Sequence, residues 1–295
     1  MTIDELIASG PILTDGAWGT ELQSRGLAPA DLPDLWNLAH PDRVEAVARA
    51  YVDAGSRIIL TNTFRANRVA LAAHGAADSV EAINRAGVAV SRRAAGTRAR
   101  VFASIGPSGR LLLTGDIDAA QLSVAFTEQA RALAAAGADA LVVETMIDLD
   151  EARIAVAAAV TTGLPVVACM VFDSGRNRDR TMTGVTPSAA AVELVRAGAG
   201  VIGANCGLGI DAYVPVCAAL AAATGRPVWI KPNAGLPDLV DGRAVYAVTP
   251  EQFASHVPAL IAAGARFIGG CCGTTPAFVA ALHRQLTIHQ RAHGL

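Results

Sequence analysis

A short phrase recurs four times along this 295-residue chain: an alanine-rich helical stretch, a glycine, a short apolar run, and then a polar residue or a cysteine. The apolar runs are short and often β-branched, which is typical of strands buried in a parallel sheet. Each glycine stands where a helix C-terminus favours a left-handed residue. These glycines are Gly55, Gly137, Gly198 and Gly264. The repeated alternation predicts an α/β fold with a parallel sheet.

The rest of the sequence extends this alternation to about eight units. Four further strands are predicted at 12–15, 101–105, 165–171 and 228–231. Helices are predicted at 42–54, 78–95, 118–136, 149–160, 187–198, 211–223, 250–263 and 276–286. Eight units in a chain of this length favour a (β/α)₈ TIM barrel, with a doubly wound open sheet as the alternative. No Gly-x-Gly-x-x-Gly pattern follows the first strand, and no linker-like tract divides the chain, so residues 1–295 are predicted to form one domain.

Composition and charge argue against several classes of partner. A formal net charge of −2 gives no electrostatic case for binding nucleic acid or an anionic membrane. No uncharged apolar stretch approaches the ~20 residues of a membrane span. Residues 1–11 carry two acidic and no basic side chains, which is unlike a signal peptide, so a cytoplasmic location is expected. Five cysteines, an odd number without regular spacing, also argue against a disulfide framework.

Polar and thiol residues follow the apolar strands at one end. In a parallel barrel the C-terminal ends of the strands meet at one mouth, which is where active sites lie. The mouth is therefore predicted to hold the segments 15–16, 61–63, 144–145, 205–206, 231–233 and 271–272. Glycine-containing loops at 105–116 and 233–243 are the best candidates for segments around its rim.

Three of the five cysteines belong to this group. Cys271 and Cys272 are adjacent in the sequence, a geometry that strains an ordinary disulfide, and Cys206 lies 65 residues upstream after another apolar run. Three thiolates can hold zinc and leave one coordination position open for a substrate. Spacing alone leaves metal binding and burial both open. Cys169, within a strand, and Cys217, on a helix, are interpreted as core residues.

Two acidic residues at the mouth each allow two interpretations. Glu144 could bind an ammonium group or act as a base, or it could simply favour the N-terminus of the following helix. Asp15 begins the segment 15–20, whose backbone N–H groups could hold a carboxylate. A plain turn would have much the same sequence.

Taken together, these motifs resemble the homocysteine S-methyltransferase family, and the resemblance covers nearly the whole chain. One such match is weak, but seven in the family's order are specific. The matching segments are Asp15-Gly16-Ala17-Trp18-Gly19-Thr20, Thr61-Asn62-Thr63-Phe64, Ser104-Ile105-Gly106-Pro107, Glu144-Thr145, Gly203-Ala204-Asn205-Cys206, Pro232-Asn233-Ala234-Gly235 and Gly269-Gly270-Cys271-Cys272-Gly273.

The resemblance implies a (β/α)₈ barrel in which Zn²⁺ is held by Cys206, Cys271 and Cys272. It implies that the homocysteine amino group meets Glu144 and Asp15. The substrate carboxylate would then lie against the turn formed by Gly16, Ala17, Trp18 and Gly19, and Asn205 would belong to the same substrate site. The resemblance names no catalytic residue beyond the substrate thiolate that the metal activates, and the product would be methionine.

The methyl donor is open at this level. The sequence around 144–145 and 232–237 is closest to the homocysteine-binding domain of cobalamin-dependent methionine synthase. Betaine enzymes carry an aromatic residue directly after the glutamate, where this chain has Thr145. Either a small donor enters directly, or a separate corrinoid protein docks at the mouth. The alternatives are a component of a corrinoid-dependent demethylation system, a methyltransferase for another thiol, and a non-catalytic zinc-binding protein.

Overall fold

Ten strands are described in a computed structural model that covers residues 2–240 and 243–293. Eight of them form one parallel sheet, and the remaining two form a separate antiparallel hairpin. The strands are β1 Ile12–Leu13, β2 Ile58–Ile59, β3 Arg100–Ile105, β4 Ala140–Met146, β5 Val166–Met170, β6 Val201–Gly209, β7 Val228–Asn233, β8 Asp238–Val240, β9 Arg243–Val245 and β10 Ala265–Ile268. Strand β8 and the first residue of β9 lie in the predicted rim loop 233–243, of which residues 241 and 242 lie outside the described part.

The large sheet closes into a barrel. Its strands follow the order β1, β10, β7, β6, β5, β4, β3, β2. The two end strands meet where the Arg57 N–H donates to the Leu13 carbonyl at 2.9 Å and the Ser56 hydroxyl donates to the Thr14 carbonyl at 3.1 Å. The predicted (β/α)₈ barrel is confirmed, and the alternative of a doubly wound open sheet is wrong.

Helices separate the barrel strands as predicted. They are α1 Ile3–Ile7, α2 Gly19–Ser24, α3 Trp36–Ala39, α4 Pro41–Asp53, α5 Arg68–Ala72, α6 Val80–Ala95, α7 Ala119–Ala135, α8 Leu149–Val160, α9 Pro187–Arg196, α10 Tyr213–Thr224, α11 Pro250–Ala254, α12 Val257–Ala262 and α13 Pro276–His293. Short 3₁₀ helices occur at Pro33–Leu35, Ala77–Ser79, Leu112–Thr114 and Ile210–Ala212. The single helix predicted at 250–263 is two helices, because Pro258 has no N–H to donate to Ala254 and its ring would clash with that carbonyl.

Two apolar cores hold the barrel together. The inner core fills the space within the strands, with Trp229 packed against Phe102 and Phe267. Helix α1 covers part of it with Ile3 and Leu6. The larger outer core lies between the strands and the helices that surround them. The four glycines of the repeated phrase have φ angles between 91° and 110°, which is the left-handed side of the backbone map that glycine adopts without strain.

The prediction of one domain over residues 1–295 includes residues 1, 241, 242, 294 and 295, which the structure does not describe, and it stays a prediction. Within the described part, none of the helices combines the length and the apolar character that a membrane crossing demands.

Candidate active site

The three cysteines at the strand ends meet at one point of the barrel mouth. Cys206 belongs to β6, and Cys271 and Cys272 follow β10, so the two segments flank β7. The sulfur atoms of all three lie within 4.8 Å of one another, and the Cys206 and Cys272 sulfur atoms are 4.0 Å apart. Among the described residues, this is the group of His, Cys, Asp or Glu side chains whose geometry suits a metal ion.

The backbone around these cysteines is held in place by several contacts. Cys206 has a φ of 64°, which is costly for a residue with a side chain and is typical of functional sites. The hydroxyl of the buried Tyr213 donates to the Cys206 carbonyl and supports this conformation. On the other side, the Cys271 N–H donates to the Pro232 carbonyl at 2.7 Å, and the Cys272 carbonyl accepts from the Ala234 N–H at 2.9 Å.

The three thiols titrate as a group. Hydrogen bonds from Cys271 and Cys272 lower the pKa of Cys206 to about 3. The hydrogen bond to Cys206 raises the pKa of Cys271 and raises the pKa of Cys272 to about 12. The cluster favours one thiolate and disfavours further ionisation, so a cation that binds all three sulfur atoms must displace protons. Metal affinity should accordingly rise with pH.

A polar network beside the sulfur atoms contains Glu144 and Asn205. Glu144 is buried, and its two oxygens accept from the Ser104 hydroxyl at 2.5 Å and from the Asn205 amide at 3.3 Å. Burial raises the pKa of Glu144, although the charge of Lys231 opposes that effect. The Asn205 amide also lies 3.9 Å from the Cys271 sulfur, so it connects the carboxylate to the thiol cluster.

Asn205 fixes the backbone next to Glu144. Its side-chain oxygen accepts from the Thr145 N–H at 2.7 Å, and its amide donates to the Thr145 hydroxyl at 2.7 Å. Thr145 has a φ of 60°, a second strained position at the mouth. These bonds hold the last residues of β4 so that Glu144 faces Asn205 and the cysteines on the other side of β5.

Asp15 is fully buried and its carboxylate is engaged on both oxygens. One oxygen lies 2.5 Å from the Lys231 ammonium nitrogen. The other accepts from the Trp18 indole N–H at 2.8 Å and from the Leu60 N–H at 2.7 Å. Burial by itself lowers the pKa of Lys231, but the charges of Asp15 and Glu144 outweigh it and raise that pKa, so Lys231 is positively charged.

The turn predicted to hold a carboxylate leads into the N-terminus of α2. The Ala17 N–H is already committed, because it donates to the Thr274 carbonyl at 3.2 Å. Gly16 has Tyr51 so close that a Cβ atom would lie 2.8 Å from its ring. Helix α2 begins at Gly19, where the first N–H groups of a helix have no partner within the helix. The N–H groups near Trp18 and Gly19 are thus the ones suited to an anion.

Sequence reasoning gave no role to three residues of this site. Lys231 and Asn233 were visible at a strand end, but their partners were not. The Asn233 amide donates to the Gly207 carbonyl at 3.0 Å, and a hydrogen bond from this side chain contributes to lowering the pKa of Cys206. Its side-chain oxygen is buried and has no hydrogen-bond partner among the described residues. Tyr213 could not be found from the sequence, because its contact is with a backbone carbonyl.

A comparison with known protein families shows which family the chain belongs to. Residues 12–286 match the family model described as homocysteine S-methyltransferase. The chain belongs to the homocysteine S-methyltransferase family. The match covers all eight barrel strands of this family member, including the three cysteines of the cluster.

Similar proteins agree with the family assignment. Methionine synthase of Mycobacterium tuberculosis is 32% identical over 294 residues, and that of Mycobacterium leprae is 31% identical over 288 residues. These alignments cover 93% and 92% of this chain but 24% of each relative, so this family member spans about a quarter of their length. The metallated form of the homocysteine methyltransferase MmuM from Escherichia coli superposes with a TM-score of 0.78 at 26% identity, covering 95% of this chain and 98% of that one.

Proposed function

We propose that this chain is a zinc-dependent homocysteine S-methyltransferase, which transfers a methyl group to the thiolate of homocysteine and forms methionine. The observation that carries the proposal is the cluster of Cys206, Cys271 and Cys272, with the buried carboxylate of Glu144 beside it. The family match and the metallated state of the similar MmuM structure support both the reaction class and the presence of a metal.

The cysteine cluster fits Zn²⁺ in ligand type and spacing. Tetrahedral zinc with Zn–S bonds of about 2.3 Å holds its sulfur ligands about 3.8 Å apart, close to the 4.0 Å between Cys206 and Cys272. The buried side-chain oxygen of Asn233, which has no hydrogen-bond partner in the described part of the chain, is a further donor atom near Cys206. When bound, the metal supplies Lewis acidity that keeps the substrate sulfur deprotonated at neutral pH.

The residues around the cluster would bind and orient the substrate. Glu144 would receive the ammonium group, with Asn205 holding that carboxylate in position. The N–H groups near Trp18 and Gly19 would hold the substrate carboxylate. Asp15, the second predicted partner of the ammonium, would act through its contacts with Lys231 and Trp18, since both of its oxygens are engaged. Holding the sulfur and the donor methyl in line within about 3–3.5 Å then favours transfer.

Either a small donor or a methyl-corrinoid carried by a separate protein would reach the substrate sulfur from the open side of the mouth. Thr145 stands directly after Glu144, so this position offers no aromatic face to a quaternary ammonium donor. This feature supports a donor other than betaine. The cytoplasmic location stays a prediction.

A panel of donors and acceptors tests the proposal. Protein purified without chelator is assayed for methionine with homocysteine and methylcobalamin, S-methylmethionine or betaine, and homocysteine is then replaced by other thiols. We expect about one zinc per chain and methionine from one of the first two donors. Preference for another thiol would favour the alternative acceptor or the demethylation system. Tight zinc binding without homocysteine binding would favour the non-catalytic protein, and a protein without metal would contradict the proposal.

A further inference from the structure

In the proposed reaction Lys231 contacts neither the substrate nor the metal, yet its side chain is buried beside the site. Its side chain is 3% exposed, and that of Asp15, its partner at 2.5 Å, is not exposed at all. Lys231 is on β7, and Asp15 follows β1, two strands away in the sheet. A buried ion pair is costly to desolvate, so its presence beside a binding site requires an explanation beyond stability.

Because of this ion pair, the two carboxylates of the site, Asp15 and Glu144, have different kinds of partner. Asp15 has a cation on one oxygen and two N–H donors on the other. Glu144, by contrast, is contacted by the neutral Ser104 hydroxyl and the neutral Asn205 amide, and it forms no ion pair within the described part of the chain. Only Glu144 therefore remains available for an incoming cation.

The charge of Lys231 also reaches Glu144. The charge of Lys231 acts to lower the pKa of Glu144, and the charge of Glu144 acts to raise the pKa of Lys231. If Asp15 did not hold Lys231, Glu144 would be the remaining carboxylate whose charge acts on this lysine. A lysine paired with Glu144 would compete directly with a substrate ammonium group.

Building on the proposed function, we propose that the Lys231–Asp15 pair sets the selectivity of the site for amino-acid thiols. Asp15 retains Lys231, and this keeps the Glu144 carboxylate free to bind the substrate ammonium. Lys231 and Asp15 are positioning residues in this scheme, since they act through Glu144 and do not contact the reacting atoms. The class of ligand recognised is a thiol that carries a single ammonium group.

A double-mutant cycle on the zinc-loaded protein tests this role. Calorimetry measures Kd for homocysteine and for 4-mercaptobutanoate, which has the thiol and the carboxylate but no ammonium group. The Kd for 4-mercaptobutanoate divided by the Kd for homocysteine reports the recognition of the ammonium. Asp15→Asn should lower this ratio at least tenfold, because Lys231 then turns to Glu144. Adding Lys231→Met should restore the ratio to within about threefold of the wild type.

The control readouts separate selectivity from a structural role. A merely structural pair would weaken both ligands equally in Asp15→Asn, and the second substitution would not rescue the ratio. Either result would overturn the inference, as would loss of zinc from Asp15→Asn. A wild-type protein that binds neither thiol would contradict the proposed function itself. Retained homocysteine binding with an unchanged ratio in Asp15→Asn would contradict only the role of the pair.

Discussion

The sulfur atoms of Cys206 and Cys272 lie 4.0 Å apart, although 66 residues separate them in the chain. The barrel brings them together because β6 and β10 both neighbour β7 and end at the same mouth. The strained backbone of Cys206 and the hydrogen bonds around it hold the sulfur in place before any metal binds. This arrangement has several consequences that can be measured.

Removing one cysteine of the cluster should abolish metal binding. We expect Cys271→Ala to retain less than a tenth of the wild-type zinc when measured by elemental analysis. The reason is that only two of the three sulfur ligands remain in this variant. Cys217→Ala is the matched control, since Cys217 is buried against the carbonyls of Leu260 and Ala263, away from the cluster. Equal zinc content in the two variants would show that the cluster is not the metal site.

Neutralising Glu144 should weaken homocysteine binding without disturbing the metal. Glu144→Gln preserves the shape of the side chain but removes a charged hydrogen bond to the ammonium, which corresponds to about a 10- to 100-fold higher Kd. Because burial raises the pKa of Glu144, wild-type affinity should also fall as the pH is lowered through that raised value, when the carboxylate becomes protonated. Calorimetry across pH checks both points. An unchanged Kd in Glu144→Gln would remove this residue from the substrate site.

The hydroxyl of Tyr213 should matter for metal affinity, although it binds the Cys206 carbonyl and not a sulfur atom. Tyr213→Phe removes the donor that supports the strained backbone of Cys206 and leaves the buried ring in place. Losses of such supporting contacts weaken metal affinity by about 10- to 100-fold. Competition with a zinc indicator measures the change. The half-buried Tyr246 provides a comparison at the mouth, and equal effects of Tyr213→Phe and Tyr246→Phe would contradict the assignment.

Asp34 should make the fold less stable as the pH rises. Burial raises its pKa from the ordinary 3.8 to about 7, while its carboxylate accepts from the Arg65 N–H at 2.8 Å. Because the pKa of Asp34 is higher in the folded state than in the unfolded state, its protonated carboxyl stabilises the fold. This contribution to the free energy of unfolding, about 4 kcal/mol, is complete below pH 3.8 and is lost as the pH rises through about 7. Asp34→Asn keeps the acceptor and removes the ionisation. Its stability relative to the wild type should grow by about 3 kcal/mol between pH 5 and pH 8 in urea denaturation, and a constant difference would contradict this.

Much of the architecture was predictable, because local signals agreed with the global fold. The glycine of each repeated phrase marked a helix end, and the apolar run after it marked a buried strand. The break between α11 and α12 was also encoded, by Pro258, but the apolar periodicity on both sides hid it. The hairpin of β8 and β9 was missed because the segment 233–243, with two glycines and a proline, resembles an irregular loop.

The sequence was enough to predict which residues form most of the site, but not which contacts they make. The positions of the three cysteines at strand ends were enough to predict that they meet. The pairing of Lys231 with Asp15 was not, since 216 residues separate them and no local pattern links the two. The engagement of Asp15 by three donors likewise depends on tertiary packing, as does the absence of an ion pair to Glu144 among the described residues. Such contacts decide which of two similar carboxylates is open to a ligand.

The most direct test of the proposed reaction is X-ray absorption at the zinc edge, with and without homocysteine. The open coordination position predicts three sulfur ligands in the protein alone and a fourth when homocysteine is added, with no such change for methionine. A sulfur count that stays at three in the presence of saturating homocysteine would contradict direct activation of the substrate thiol at this site.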